Sequence, residues 1–178
     1  MIKYLLLATI FFTCLSAFSQ DNEVCHSKNS SGIIQIFDKG IVLNEKFKKS
    51  VEGNDKDEYQ RLRKKIEQYD EGVVMPCVGR ASQLMSSRSN SALMHKLMEL
   101  VISYENSADE TISYEMGRLF AVNSKAVEHT IKEFPPSGKK IILKSIQTGW
   151  INVKPELSPS VGKSGDERLK KLLLSEKR

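Results

Sequence analysis

The chain has 178 residues, 40% of them hydrophobic and 28% charged, with a formal net charge of +5. That balance supports one cored domain and excludes a disordered chain, while three cysteines are too few for a disulfide-dense miniature scaffold. The positive excess is mild, both signs are mixed along the chain and no long basic run occurs, so the charge is read first as solubility and nucleic acid is not expected as a partner.

Residues 1–19 read as a secretory signal. Lys3 is the only charge before position 20, the apolar block "YLLLATIFFTCLSAF" follows it, and the small residues Ala17 and Ser19 stand where a signal peptidase reads. Cleavage after Ser19 would leave Gln20 as the first residue. Two rival readings fit less well. Lipid attachment would need small residues before Cys14 or Cys25, and Phe11-Phe12-Thr13 and Asn22-Glu23-Val24 stand there instead. A retained anchor would need a longer apolar run, and no transmembrane segment is expected after signal removal. Cys14 then leaves with the leader, and Cys25 and Cys77 remain as a lone pair in an oxidising compartment, secreted or periplasmic. Their bridge would close a loop worth about 4 kcal/mol in the chain-entropy picture. The competing reading is two separate buried thiols. No C-x-x-C occurs, which argues against a thioredoxin-type site.

Residues 20–151 are expected to form one helical domain. Within 32–51, Ile33, Phe37 and Ile41 step by four and Leu43, Phe47 and Val51 continue the stripe. The β-branched runs on either side of Asp38-Lys39-Gly40 allow a hairpin, but strict alternation is missing and helix is favoured. Residues 52–57 read as a loop. In the next segment Tyr59, Leu62, Ile66 and Tyr69 make one helical stripe. Over 75–86 Pro76 stands near a helix start, with Cys77, Ala81 and Leu84 on the inner face. After a polar connector at 86–91, Leu93, Leu97, Val101 and Tyr104 define a face widened by Met94, Met98 and Leu100.

Ser107 and Glu110 have the spacing of a capping box, opening a helix that turns Ala108, Ile112, Met116, Leu119 and Phe120 inward. Gly117, in mid-helix, predicts close approach of a neighbour. A further helix from Asn123 carries Val127, Ile131 and Phe134 and stops at Pro135-Pro136. Ser137 is the expected cap of the next, which carries Ile142, Ile146 and Trp150. Short connectors favour antiparallel neighbours, so the fold class is all-α: a compact bundle or short stack of antiparallel helical hairpins with one disulfide. Residues 152–178, rich in Pro, Ser and Gly, read as a loose tail ending in a short basic helix.

Chemistry is sparse in this sequence. Val161-Gly162-Lys163-Ser164 matches only the end of a phosphate-binding loop, with Leu157 where the first glycine belongs. Ser137 and Lys140 have S-x-x-K spacing without its companion motifs. A repeated H-x-x-x-E is the sharpest constellation. His95 with Glu99, and His129 with Glu133, each share a helix face, and if the faces met the four side chains would offer a zinc site. Both pairs lie off the apolar stripes, and a solvated ion pair is the plainer reading. Tyr114 falls two positions from Ile112 and Met116, so it is expected to be exposed and is a candidate partner anchor. Asn29-Ser30-Ser31 has glycosylation spacing. No cofactor is expected. The profile points to an exported, non-enzymatic helical protein that binds a protein partner, of inhibitor or immunity type. The alternatives are weak association with lipid or cell-wall polymer through the basic C-terminal helix, and a carboxylate-dependent enzyme on a helical scaffold.

Overall fold

Helix α1 (Ser30–Glu52) opens on Asn29, whose side-chain oxygen accepts from the Gly32 N–H at 3.0 Å and satisfies one of the donors a helix start leaves unpaired. The structure is a computed structural model and describes residue 25 and residues 29–53, 56–87, 90–105 and 110–175. The expected leader at 1–19, with Cys14, lies outside the described residues. Residues 32–51 are helix and not hairpin. Ile33, Phe37, Gly40 and Leu43 recur at steps of four and three and are buried, and that period outweighs the local β-branching. The stripe leaves the core toward its end: Phe47 is half-buried against the Tyr59 ring, centroids 5.2 Å apart, and Val51 is exposed.

Helix α2 (Lys56–Tyr69) runs back along α1, since Phe47 meets Tyr59 near one end while Tyr69 Oη donates to the Ile36 carbonyl oxygen at the other. A π turn (Asp70–Val74) then leads straight into α3 (Met75–Ser87). Pro76 gives the turn a physical reason. It has no N–H, and its ring presses on the carbonyl four residues back; widening the ladder so that Met75 N–H reaches Asp70 O makes room. Helix α4 (Ser91–Ser103) starts on Asn90, which accepts from Leu93 N–H at 3.0 Å and donates its amide to Ser30 Oγ at 2.9 Å. Asn90 beside Ser30, Lys96 beside Asp38 and Ser103 beside Asn44 rise together in number, so α4 lies parallel to α1.

Helix α5 (Thr111–Ile131) joins two segments expected to be separate. Asn123, at φ −140° and ψ 44°, kinks it, and its amide donates to the Met85 carbonyl oxygen at 3.2 Å. Ser107 lies outside the described residues; Glu110 stands at the cap position itself and makes no side-chain cap bond, so its part of the expected capping box is not formed. Gly79 beside Glu115 and Met85 beside Asn123 set α5 parallel to α3. Helix α6 (Pro136–Val153) is capped by Pro135 rather than Ser137, with Pro136 at the first helical position, where a missing N–H is harmless. It crosses α5 at two glycines: a Cβ on Gly149 would lie 1.7 Å from the Ser113 carbonyl oxygen, and one on Gly117 would lie 2.3 Å from Gly149 C. The close approach that Gly117 predicts is therefore present.

The end of the chain departs from expectation. After a 3-10 turn (Lys154–Glu156), residues Pro159–Ser175 form helix α7, which buries Gly162, Gly165, Leu169 and Leu172. Read locally, the two glycines signal a loop. In the fold they lie on one face with the leucines, and Gly165 sits against the Trp150 ring. Tertiary packing overrides propensity there. The result is an all-α bundle with one continuous core, running from Ile33 and Phe37 through Leu97, Met98 and Leu119 to Ile146 and Trp150.

Candidate functional site

Cys25 and Cys77 lie at disulfide distance, their Cα atoms 5.3 Å apart. Cys77 faces inward from the first turn of α3 with Val78 and Ala81, and Cys25 lies ahead of α1 against the Val73 carbonyl. Exposure is 2% at Cys25 and 0% at Cys77, so the bridge is part of the core and not a surface clip.

The two His/Glu pairs do come together, through Phe134. That ring, in the connector between α5 and α6, stacks on the His95 imidazole with centroids 4.5 Å apart and planes 22° apart. Glu133 is thereby brought beside α4. Its Oε2 stands 3.8 Å from His95 Nε2, and its Oε1 stands 3.7 Å from His129 Nδ1. His95 Nδ1 is 3.7 Å from Glu99 Oε1. These are ion-pair distances when the imidazoles are protonated and are too long for hydrogen bonds. The arrangement is a ladder: Glu133 separates the two imidazoles, and no group of three His, Cys, Asp or Glu among the described residues is placed to hold a metal ion. A cation already sits at the far end. Lys96 Nζ contacts Glu99 and lies 2.7 Å from Asp38 on α1, and hydrogen bonding to Asp38 first, then Glu99, raises the lysine above its ordinary pKa. Asp38 to His129 therefore forms a surface ladder of acids alternating with basic side chains that ties α1, α4 and the α5–α6 connector together.

Asp38, Lys96 and Phe134 are the members of this ladder that sequence reasoning did not assign to it. Phe134 reads as core from its spacing and is indeed buried, at 8% exposure, but its face is what orients His95. The only local signal for Lys96 is its place three residues before Glu99; its second partner, Asp38, is 58 positions away and is not legible in a helical pattern.

Tyr114 is half-buried where an exposed ring was expected. Its hydroxyl donates to the Glu156 carboxylate, with both oxygens at 2.9–3.0 Å, and that bond is the first cause holding the phenol above its ordinary pKa. The ring fastens α5 to the 3-10 turn after α6, a turn that sequence alone assigns to the loose tail. Glu115, a buried acid, is held by Arg118 at 3.1 Å and has a glycine, Gly79, beneath it.

Val161-Gly162-Lys163-Ser164 is helical in α7 with Gly162 buried, so no phosphate-cradling loop forms there. No helix among the described residues is long and apolar enough to cross a membrane. Comparison with protein-family models, curated proteins and solved structures finds no match to this chain.

Proposed function

We propose that this chain is exported and acts as a helical protein-binding module, of inhibitor or immunity type, without chemistry of its own. The observation that carries the reading is the Cys25–Cys77 pair: two sulfurs at disulfide distance inside the core, in a chain whose first nineteen residues have the pattern of a secretory leader. Such bridges form and persist outside the reducing cytosol. The helices behind it are joined by short connectors and pinned by side chains such as Asn44, Lys48, Asn90 and Asn123, so the surface they present is preorganised, which lowers the entropic cost of binding.

The carboxylate-enzyme alternative asks for paired acids in a cleft, and the buried Glu115 is paired with a guanidinium. The lipid-surface alternative asks α7 for a continuous apolar face; Leu169 and Leu172 are turned into the protein, and the exposed Val161 and Leu174 stand near opposite ends of the helix. The test is to express the full gene in its own cell, cross-link the exported fraction and analyse it by mass spectrometry. The reading expects a chain beginning at Gln20, no alkylatable thiol, and a discrete cross-linked partner. An intact Met1 or free thiols removes export, and a chain that never cross-links to another protein removes binding.

A further inference from the structure

The seam between α5 and α7 holds two cavities that share Arg168. One, of about 270 Å³, is lined by Ala121, Ser160, Val161 and Ser164 over the buried rings of Phe120 and Trp150; the other, of about 440 Å³, by Lys125, Glu128, Lys132 and Lys171 over Leu172. The residues from each helix fall on a single stripe: Ala121, Lys125, Glu128 and Lys132 along α5 and its cap, and Val161, Ser164, Arg168, Lys171 and Ser175 along α7. Position numbers rise together along both walls. The two cavities therefore form one groove with an aromatic end and a basic end, running from Val161 to Ser175, about 20 Å at a helical rise of 1.5 Å per residue.

Its charge is one-sided. Lys125, Lys132, Arg168 and Lys171 are exposed and face one carboxylate, Glu128. Among the described residues no ion pair within 4 Å involves Lys125, Lys132 or Lys171. Arg168 donates to Ser124 Oγ, which fixes its guanidinium at the join of the two cavities. Four cations and one carboxylate thus line the basic end of the groove.

We propose that this groove takes an extended acidic segment of the protein partner, with an apolar side chain at the Phe120–Trp150 end and Asp or Glu side chains along the lysines. The proposal rests on the protein-binding reading above. The shape selects the occupant. Lys125 and Lys132 are two helical turns apart, about 10 Å, so one small anion cannot span them. A concave seam with its leucines turned inward does not suit a flat bilayer. An extended chain at about 3.3 Å per residue, with carboxylates on alternate residues, matches facing cations spread over about 10 Å, and its next few residues reach the far end of the groove.

The probe is a fluorescein-labelled peptide of one leucine followed by a run of glutamates, read by anisotropy on the oxidised protein in about 0.15 M salt. Binding is expected, with a shift in Trp150 emission that an all-glutamate peptide does not produce; Trp150 is the only tryptophan in the chain. Lys125→Glu/Lys171→Glu should weaken binding by about tenfold or more. The same reversal on α1 and α2, Lys49→Glu/Lys64→Glu, should leave it unchanged. Lys125→Ala/Lys171→Ala serves if the reversal disturbs folding, judged by helical circular dichroism. Equal loss in both reversals overturns the groove as the site. Displacement of the peptide by inorganic phosphate, or retention on phosphatidylglycerol vesicles without peptide binding, overturns the acidic segment as its occupant. If the groove reversal still cross-links the native partner as the wild type does, the groove proposal falls while the protein-binding reading stands. Peptide binding through these lysines in a chain that captures no partner supports the groove and removes the wider reading.

Discussion

Gly149 has no room for a side chain: the carbonyl oxygen and carbon of Ser113 would lie 1.7 and 2.6 Å from its Cβ, and both are backbone atoms of a packed helix that cannot rotate away. Gly162 lies on the same kind of buried face, yet its nearest neighbours would be the Lys154 stem at 3.6 and 3.8 Å, an ordinary contact. One residue type thus carries opposite consequences. Gly149→Ala should push α6 off α5 and cost about 3 kcal/mol, as overpacking of a tight core contact does. Gly162→Ala should leave packing intact and stabilise by up to about 1 kcal/mol, because alanine loses less conformational entropy in a helix. Urea unfolding of the two variants checks both signs; equal midpoints would contradict them. Gly117 is legible in the sequence, because a glycine inside a strong apolar helical stripe weakens the helix unless a neighbouring backbone fills the space it leaves. Gly162 and Gly165 are not, because the same local composition describes a loop until Trp150 and Lys154 are known to lie beneath them.

In the N-terminal half of helix α7, two side-chain bonds from the end of α6 and the turn after it meet at Asp166. Trp150 Nε1 donates to Asp166 Oδ1 at 2.9 Å and Lys154 Nζ lies 2.6 Å from Oδ2. These partners, Lys154 first and then Trp150, hold the Asp166 carboxyl below its ordinary value of 3.8. The sign of the linkage follows. A depressed folded pKa means that the contact stabilises fully above the unfolded value and loses that contribution as pH falls through the folded one. Trp150 emission should therefore be flat from neutral pH down to the ordinary carboxylate range and change below it. In Asp166→Asn, which keeps an acceptor for the indole but no charge for Lys154, that acid step should vanish. A step that survives in Asp166→Asn would assign the transition to another group. The helical elements before α7 were legible as periods: the apolar stripes read along α4 and α5 are buried, and what the period does not give is the polar burial beside them, such as that of Ser103 on α4 and of Glu115 and Thr130 on α5. The merger at Asn123 and the docked α7 were not, because each answers to a contact distant in sequence. The π turn answers to Pro76 beside it, a residue that helix periodicity reads only as a helix start.

At the scale of the whole molecule, α1 and α4 lie parallel although some sixty positions separate their partners, and nothing between them in sequence records that pairing. The His/Glu ladder depends on it. Each H-x-x-x-E pair was legible as a helix face, but whether the faces met depended on where the α5–α6 connector carries Phe134. The Cys25–Cys77 pair is the one long-range constraint that arithmetic on the chain offers, since with Cys14 assigned to the expected leader the other two cysteines have one partnership. Its energetic consequence is global. Separated by 52 positions, the two residues close a loop whose removal from the unfolded ensemble is worth about 4 kcal/mol. Cys25→Ala/Cys77→Ala should therefore lower the urea midpoint by about 2 M for a slope near 2 kcal/mol/M, with the helical spectrum retained. Because both sulfurs are buried, a thiolate reaches the bridge only after the core opens. In the wild type, dithiothreitol with iodoacetamide should alkylate Cys25 and Cys77 slowly in buffer and quickly in urea near the midpoint. Rapid alkylation in buffer, or an unmoved midpoint in the double variant, would show that the bridge neither lies in the core nor holds the bundle together.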